Sequence, residues 1–247
     1  MEFPEAERDA ARRIAAVVDP DLRARVAARV LGAMATRQAV AVLHGLQLRG
    51  GWLHPERPWV AVAQALLSPT LVEYETRRAW HAEAVAEGLL GVRHALLDTP
   101  ARRVHRPQAD PVPGLTLGER RWRARLRDPN LLEKLRRDPD PAVVANLLRN
   151  PRTLELDVVL LASQRPAFAH ALTEVARDPR WAAVAAVQLA LVQNPYAPTS
   201  LSVLLLPLLR PSQLAKVAAD GTLHDVVREV AGWLHAQGGS GTAAAVR

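Results

Sequence analysis

Two stretches decide the fold of this chain: residues 137–151 read RDPDPAVVANLLRNP, and residues 189–220 read LALVQNPYAPTSLSVLLLPLLRPSQLAKVAAD. Asp-Pro and Asn-Pro dipeptides divide both stretches into short apolar segments. An Asp or Asn side chain accepts hydrogen bonds from the free amides at the start of a helix. Pro at the first helical position has no amide to lose. Each dipeptide therefore predicts the end of one helix and the beginning of the next.

Three Asp residues that we take as equivalent recur at a nearly constant spacing. Asp138, Asp178 and Asp220 are 40 and 42 residues apart, and ALTEVARD at 171–178 aligns with QLAKVAAD at 213–220. This spacing falls within the range of about 40–47 residues of HEAT and armadillo units. Chance spacing of Asp-Pro dipeptides is the alternative explanation. The predicted helices are 140–149, 153–164 and 167–177 in the first unit, 180–193, 197–209 and 211–219 in the second, and a terminal helix at 222–236.

The same two stretches resemble the variant leucine-rich repeat and HEAT-like helical repeat proteins. Together with LVEYETRR at 71–78, the C-terminal part looks like a family of bacterial helical-repeat proteins from GC-rich genomes. The resemblance implies an α-helical solenoid and no particular activity. One type of variant-repeat protein carries a cysteine-bound iron–sulfur cluster, and this feature does not carry over because the chain has no cysteine.

The N-terminal part has helical periodicity as well. Apolar residues recur in steps of three and four from Phe3 to Val17, and Asp19-Pro20 predicts the start of a second helix. Further helices are predicted from Thr36 to a stop at Gly50-Gly51, near 59–67, and near 71–97 with a break at Gly88 or Gly91. Short connections between these helices predict an antiparallel array.

Residues 98–118 read DTPARRVHRPQADPVPGLTLG. Pro and Gly at this density exclude a continuous helix, so the segment is predicted to be a linker or an extended strap. The fold class is therefore all-α, a HEAT/armadillo-like helical repeat solenoid with an N-terminal helical array. The predicted domains are a helical array at 1–97, the linker or strap at 98–118, helical repeats at 119–237 and a disordered tail at 238–247.

Composition excludes several kinds of chemistry. The chain has 247 residues, of which 49% are hydrophobic and 23% charged, values typical of a globular protein. The absence of cysteine excludes disulfides, thiolate zinc sites and cysteine nucleophiles. No apolar run reaches the roughly 18–20 residues of a membrane span. The acidic residues among the first nine argue against a signal peptide, so we expect a cytoplasmic protein.

Motifs of enzymes are missing from the sequence. It contains no HExxH, GxGxxG, GxxxxGK[ST] or GxSxG pattern. Asp178 beside Trp181 is a weak echo of the cleft of HEAT-like enzymes that excise alkylated bases, but an Asp at a helix start with a buried Trp explains the pair more simply. We therefore predict no catalytic residue, no cofactor, no metal site and no enzymatic activity.

The distribution of charge gives the main functional hint. The net charge is +7, and the window from Arg102 to Arg137 alone has eleven basic and four acidic residues. Leu117, Trp122 and Leu126 are predicted to form the apolar side of a basic helical turn. A basic patch of this kind binds nucleic acid phosphates, anionic lipid or an acidic protein, whereas a solvated helix face is the alternative. The predicted patch consists of Arg120, Arg121, Arg123, Arg125, Arg127, Lys134, Arg136 and Arg137.

The function predicted from these observations is a non-catalytic scaffold or adaptor for protein–protein interaction. Solenoids present extended concave surfaces that suit this role. The alternative is a nucleic-acid-binding protein that uses residues 120–137, and a HEAT-like DNA-repair enzyme ranks below both. A protein partner is thus expected, with nucleic acid as the second candidate.

Overall fold

The computed structural model describes residues 4–49, 58–97, 101–104, 112–126 and 128–244. Over these residues the chain forms fifteen α-helices, one 3-10 helix and no β-strand, which confirms the all-α prediction for the described part. The helices are α1 Pro4–Ala15, α2 Pro20–Gly32, α3 Thr36–Arg49, α4 Pro58–Leu67, α5 Tyr74–Ala86, α6 Leu90–Leu96, α7 Leu117–Arg123, α8 Pro129–Leu135, α9 Pro141–Arg149, α10 Glu155–Ser163, α11 Ala169–Arg177, α12 Ala185–Val192, α13 Thr199–Leu205, the 3-10 helix Leu206–Leu208, α14 Pro211–Ala219 and α15 Asp225–Ala244.

The predicted helix boundaries in the N-terminal part are largely confirmed. Asp19 Oδ1 accepts a hydrogen bond from Leu22 N at 3.0 Å, and α2 begins at Pro20. The predicted helix near 71–97 is broken between α5 and α6, where Gly88 has a φ of +67°. Because residues with a side chain rarely adopt this left-handed conformation, Gly88 is the break point. The predicted stop at Gly50-Gly51 lies outside the described residues.

The two predicted groups of three helices appear as α9, α10, α11 and then α12, α13, α14. The helix predicted at 180–193 is shorter than expected, since α12 begins only at Ala185. The amides of Trp181 and Ala182 donate to the carbonyl oxygen of Asp178, so a tight turn precedes the helix. The final helix α15 extends to Ala244, into the segment for which the sequence predicts a disordered tail.

The Asp or Asn residues that follow the ends of α8, α9, α11, α12 and α14 share one geometry. The Oδ1 atom of each accepts a hydrogen bond from the backbone amide two residues later, at 2.9 to 3.0 Å. This turn lets the chain reverse after one helix and enter the next segment. The five residues are Asp138, Asn150, Asp178, Asn194 and Asp220.

Contacts divide the chain into two compact units, one spanning Pro100–Pro198 and the other combining Met1–Thr99 with Thr199–Arg247. The second boundary falls inside the second predicted repeat. The predicted domain limits were drawn from repeats and composition, and they stay predictions. Of the predicted linker or strap, residues 98–100 and 105–111 lie outside the described residues. Val112 packs against Ala124, Leu135 and Val143.

The unit that contains both ends of the chain is built around α3, α4, α6 and α13. In it α1 packs on α2 and α3, α3 on α5, and α13 on α4, α6 and α15. Trp59 is almost fully buried, and its Nε1 donates to the carbonyl oxygen of Leu204 at 2.7 Å. This bond joins segments that lie far apart in the sequence.

The unit at 100–198 stacks neighbouring helices. Helix α9 packs on α7, α8 and α11, while α10 packs on α11 and α12. The packing between neighbouring helices is consistent with a repeat array. None of the helices in the described ranges combines the length and the apolar character needed to cross a membrane.

Candidate functional site

The predicted basic patch is divided between structural and free cations. Arg120 is 7% exposed, and its Nε donates to Asp138 Oδ2 at 2.8 Å. Its Nη1 donates to the carbonyl oxygen of Leu115 at 3.2 Å. Burial raises the pKa of Asp138 despite this partner. Arg120 thus holds α7 to the start of α9 and does not present its charge to a partner.

Arg121 also binds within the chain. Its Nε and Nη2 donate to the two carboxylate oxygens of Asp140 at 3.1 and 2.9 Å. Asp140 in turn caps α9, because its Oδ1 accepts from the amides of Ala142 and Val143 at 3.0 Å. The hydrogen bond from Arg121 lowers the pKa of Asp140 and raises that of Arg121. The Arg121–Asp140 pair therefore fixes a helix start.

Arg136 is the third paired cation of the patch. Its Nη1 donates to Asp157 Oδ1 at 3.0 Å, and its Nη2 lies 3.6 Å from Glu133 Oε1. Asp157 Oδ2 accepts from the amide of Leu154 at 3.0 Å, at the start of α10. Arg136 therefore connects the end of α8 to the beginning of α10.

The other predicted cations have a different environment. Arg123 is half-buried, whereas Arg125, Lys134 and Arg137 are exposed. No carboxylate among the described residues pairs with any of these four. Arg127 lies outside the described residues. The structure thus leaves Arg125, Lys134 and Arg137 as exposed cations on this unit.

The apolar side predicted for the basic turn does not pack inward. Trp122 is 59% exposed and Leu117 is 38% exposed. Helix α7 has only seven residues, and it turns Arg120 rather than Trp122 toward α9. The structure therefore leaves Trp122, on the predicted apolar side of this turn, largely exposed.

A groove of about 920 Å³ lies between α8 and α10. Lys134 and Arg137 lie on the α8 side, and Leu160 lies on the α10 side. Helix α8 packs on α9, and α10 packs on α11 and α12, which leaves a channel between α8 and α10. The lining residues are Asn130, Glu133, Lys134, Arg136, Arg137, Leu160, Leu161, Ser163 and Gln164.

Helix α10 carries apolar residues on two faces. Val158, Leu161 and Ala162 are buried in the core. Leu156 and Leu160 are 66% and 47% exposed and lie one helical turn apart, while Leu154 just before the helix is 65% exposed. A cluster of exposed leucines on one element is typical of an interaction surface. The groove therefore combines exposed Leu160 with the unpaired cations Lys134 and Arg137, and Leu156 continues the leucine row beyond the lining.

Sequence reasoning found the cations of the groove but missed the exposed leucines of the α10 segment. The stretch LELDVVLL at 154–161 lies within the repeat helix predicted at 153–164, and that prediction does not say which of its apolar residues are exposed. The sequence does indicate a second apolar face, because Leu156 and Leu160 are four residues apart on the side of the helix opposite Val158 and Ala162. Of the six apolar residues in this stretch, only Val158 and Leu161 are buried.

The structure explains why Asp178 lies beside Trp181 without a DNA-repair cleft. Trp181 is 4% exposed, and its Nε1 donates to the carbonyl oxygen of Leu148 at 2.9 Å. Asp178 accepts from the amide of Arg180 at 3.0 Å, and burial raises its pKa. Both residues stabilise the turn before α12.

A second cavity lies in the other unit. Its volume is about 240 Å³, and it is lined by His44 and Leu48 of α3, the turn at 88–90, and Trp233 and Gln237 of α15. His44 stacks on Trp233 with ring centroids 5.8 Å apart, and burial lowers the pKa of His44. Nowhere in the described ranges do three or more His, Asp or Glu side chains converge as metal ligands would.

Comparison with known proteins adds no family assignment. The chain matches no protein-family model, no curated protein and no solved structure.

Proposed function

We propose that this chain is a non-catalytic helical-repeat scaffold that binds a protein partner through the groove between α8 and α10. The observation that supports it best is the groove itself, where Lys134 and Arg137 face exposed Leu160. Apolar anchors beside charges that set orientation are the usual composition of protein interfaces. Ser163 Oγ donates to the carbonyl oxygen of Val159 at 2.7 Å, which supports a binding surface rather than a nucleophile.

The proposal includes the type of repeat. Helices α9–α11 and α12–α14 correspond to two HEAT-like units, and their Asx turns recur at Asp138, Asp178 and Asp220. HEAT-like arrays bind partners along the surfaces that stacked helices leave open. A cytoplasmic location fits this role and forms part of the proposal.

The test compares two leucines of similar exposure. Leu160 in the groove is 47% exposed and Leu22 on α2 is 51% exposed. Immobilised wild-type protein, Leu160→Ala and Leu22→Ala are each incubated with lysate, and the bound proteins are quantified. We expect a specific protein that binds wild type and Leu22→Ala equally. The amount bound to Leu160→Ala should be about tenfold lower, the effect of removing a buried interface anchor. Identical protein profiles for all three would contradict the proposal.

Nucleic acid binding is the second candidate, and the exposed cations Arg125, Lys134 and Arg137 favour it. Three other members of the predicted patch, Arg120, Arg121 and Arg136, already bind carboxylates within the chain. If the remaining cations contact phosphates, the logarithm of affinity for duplex DNA falls with the logarithm of salt by about 0.9 per contact. Binding with such a slope that Lys134→Glu abolishes, and that Leu160→Ala leaves unchanged, would favour this candidate over a protein partner.

A further inference from the structure

We infer that the occupant of the groove is an acidic amphipathic α-helix of a partner protein, with apolar residues one turn apart and carboxylates beside them. This inference rests on the proposed function and adds the chemistry of the partner. Three features carry it: the charge of the α8 wall, the row of exposed leucines that leads along α10 into the groove, and the pairing of Arg136.

The α8 wall selects for negative charge. Lys134 and Arg137 line the groove and are exposed, and neither has a carboxylate partner in the described part of the chain. Glu133 is the acidic residue of the lining, and its Oε1 lies 3.6 Å from Arg136 Nη2. The unpaired charge on this wall is therefore positive, so the wall would repel a basic segment and attract an acidic one.

The α10 wall selects for a helix. Leu160 lines the groove, and Leu156, one helical turn earlier on the same face of α10, is exposed outside the groove lining. Side chains at this spacing lie about 5–6 Å apart, and a partner helix with apolar residues at i and i+4 presents the same interval. Helix-in-groove recognition uses such anchors. Nucleic acid offers phosphates to the cations but no apolar side chains to these leucines.

Internal pairing keeps the two walls in place. Arg136 Nη1 donates to Asp157 Oδ1 at 3.0 Å, which ties α8 to α10. Arg136 side-chain exposure is only 17%, so its charge is satisfied within the protein. The partner's carboxylates thus meet Lys134 and Arg137 instead, along the edge of the groove nearest α8.

The test uses a labelled synthetic peptide of about 15 residues, near the minimum for a stable helix. The peptide has leucines at positions i and i+4 of its helix and glutamates at the positions beside this leucine row. A comparison peptide has lysine in place of each glutamate. Binding to the full chain is measured by fluorescence anisotropy. Lys134→Glu is matched with Lys216→Glu, the chain's other lysine, and Leu160→Ala is matched with Leu22→Ala. Circular dichroism melts confirm that each variant folds.

The inference predicts that the acidic peptide binds and the basic peptide does not. Lys134→Glu and Leu160→Ala weaken binding by about tenfold or more, while Lys216→Glu and Leu22→Ala change it by less than about twofold. Added salt weakens binding, since part of the binding free energy comes from attraction between the peptide's carboxylates and the groove's cations. Equal binding of both peptides, or acidic-peptide binding that Lys134→Glu and Leu160→Ala leave unchanged, would overturn the inference.

Failure of the inference is distinguishable from failure of the proposed function. If the acidic peptide does not bind at about 1 mM protein, the acidic-helix occupant is wrong. If the lysate experiment nevertheless identifies a protein that wild type binds and Leu160→Ala does not, the scaffold function stands with a different occupant. If neither the peptide nor any lysate protein depends on Leu160, both proposals fail.

Discussion

At the scale of single residues, the chain uses Asp and Asn for different purposes within the same turn. Asn150 Nδ2 donates to the carbonyl oxygens of Ala124 and Leu126 at 2.8 and 2.7 Å. Asn194 Nδ2 donates to those of Ala162 and Gln164 at 2.8 and 3.0 Å. Where Asp138 stands, its carboxylate instead accepts from Arg120. The amide of Asn150 or Asn194 thus joins its turn to an earlier helix end, whereas the carboxylate of Asp138 binds a cation.

The first prediction follows from this difference. Asn194→Asp replaces the donor Nδ2 with an oxygen that faces two carbonyl oxygens, so two buried hydrogen bonds are lost. We expect the free energy of unfolding to fall by about 2–4 kcal/mol. Asp178→Asn is the matched control, because it keeps the Oδ1 acceptor of its turn, and we expect a change within about 1 kcal/mol. Urea unfolding measures both, and equal losses would contradict the explanation.

The second prediction concerns pH and Asp140. Its pKa is lowered in the folded state, chiefly by the hydrogen bond from Arg121, so the ionised carboxylate stabilises the folded protein. This contribution is complete above the unfolded-state pKa of about 4 and is lost as the pH falls through the lower folded pKa. At neutral pH we expect Asp140→Asn to be less stable than wild type by up to about 1 kcal/mol.

Thermal melts of wild type and Asp140→Asn across pH measure this contribution. The difference between the two proteins should shrink as the pH falls below about 4. A difference that is as large in acid as at neutral pH would show that the charge of Asp140 does not carry the effect.

At the scale of elements, the sequence predicts most of the helices and little about their outer faces. The Asx-Pro dipeptides placed the beginnings of α2 and α9 because capping and proline geometry act locally. Helix α12 is shorter than its apolar pattern suggests because Trp181 is buried in the turn before it. That packing depends on Leu148, which is distant in the sequence, so the local sequence around Trp181 does not predict it.

The third prediction tests the break between α5 and α6. An added Cβ has no atom within 4 Å at either Gly88 or Gly118, but Gly88 alone of the two has a positive φ. We expect Gly88→Ala to lower the free energy of unfolding by about 1–2 kcal/mol through backbone strain. Gly118→Ala lies within helix α7, so it should be neutral or stabilising by about 0.5–1 kcal/mol. Chemical unfolding of both variants checks this, and equal effects would contradict the role of φ at Gly88.

At the scale of the whole molecule, the sequence predicts a charged surface but not the groove beside it. Net charge along a segment shows that cations cluster, yet it cannot show which of them bind carboxylates from later helices. Arg120, Arg121 and Arg136 find Asp138, Asp140 and Asp157 only after α7–α10 pack. The groove likewise arises from packing, because the gap between α8 and α10 has no signature in either helix alone. The leucines on α10 are readable from periodicity, but their exposure depends on their neighbours.

The most direct test of the proposed docking groove uses the absence of cysteine. Because the chain has no cysteine, Ser163→Cys provides a single thiol in the groove, and Ala169→Cys provides one at an exposed position of α11 outside the groove lining. Each thiol is labelled with a photoreactive maleimide, mixed with lysate and irradiated, and the adducts are identified by mass spectrometry. Our account predicts that position 163 crosslinks to a defined protein segment and position 169 does not. The same adducts from both positions, or adducts of nucleic acid alone from position 163, would contradict it.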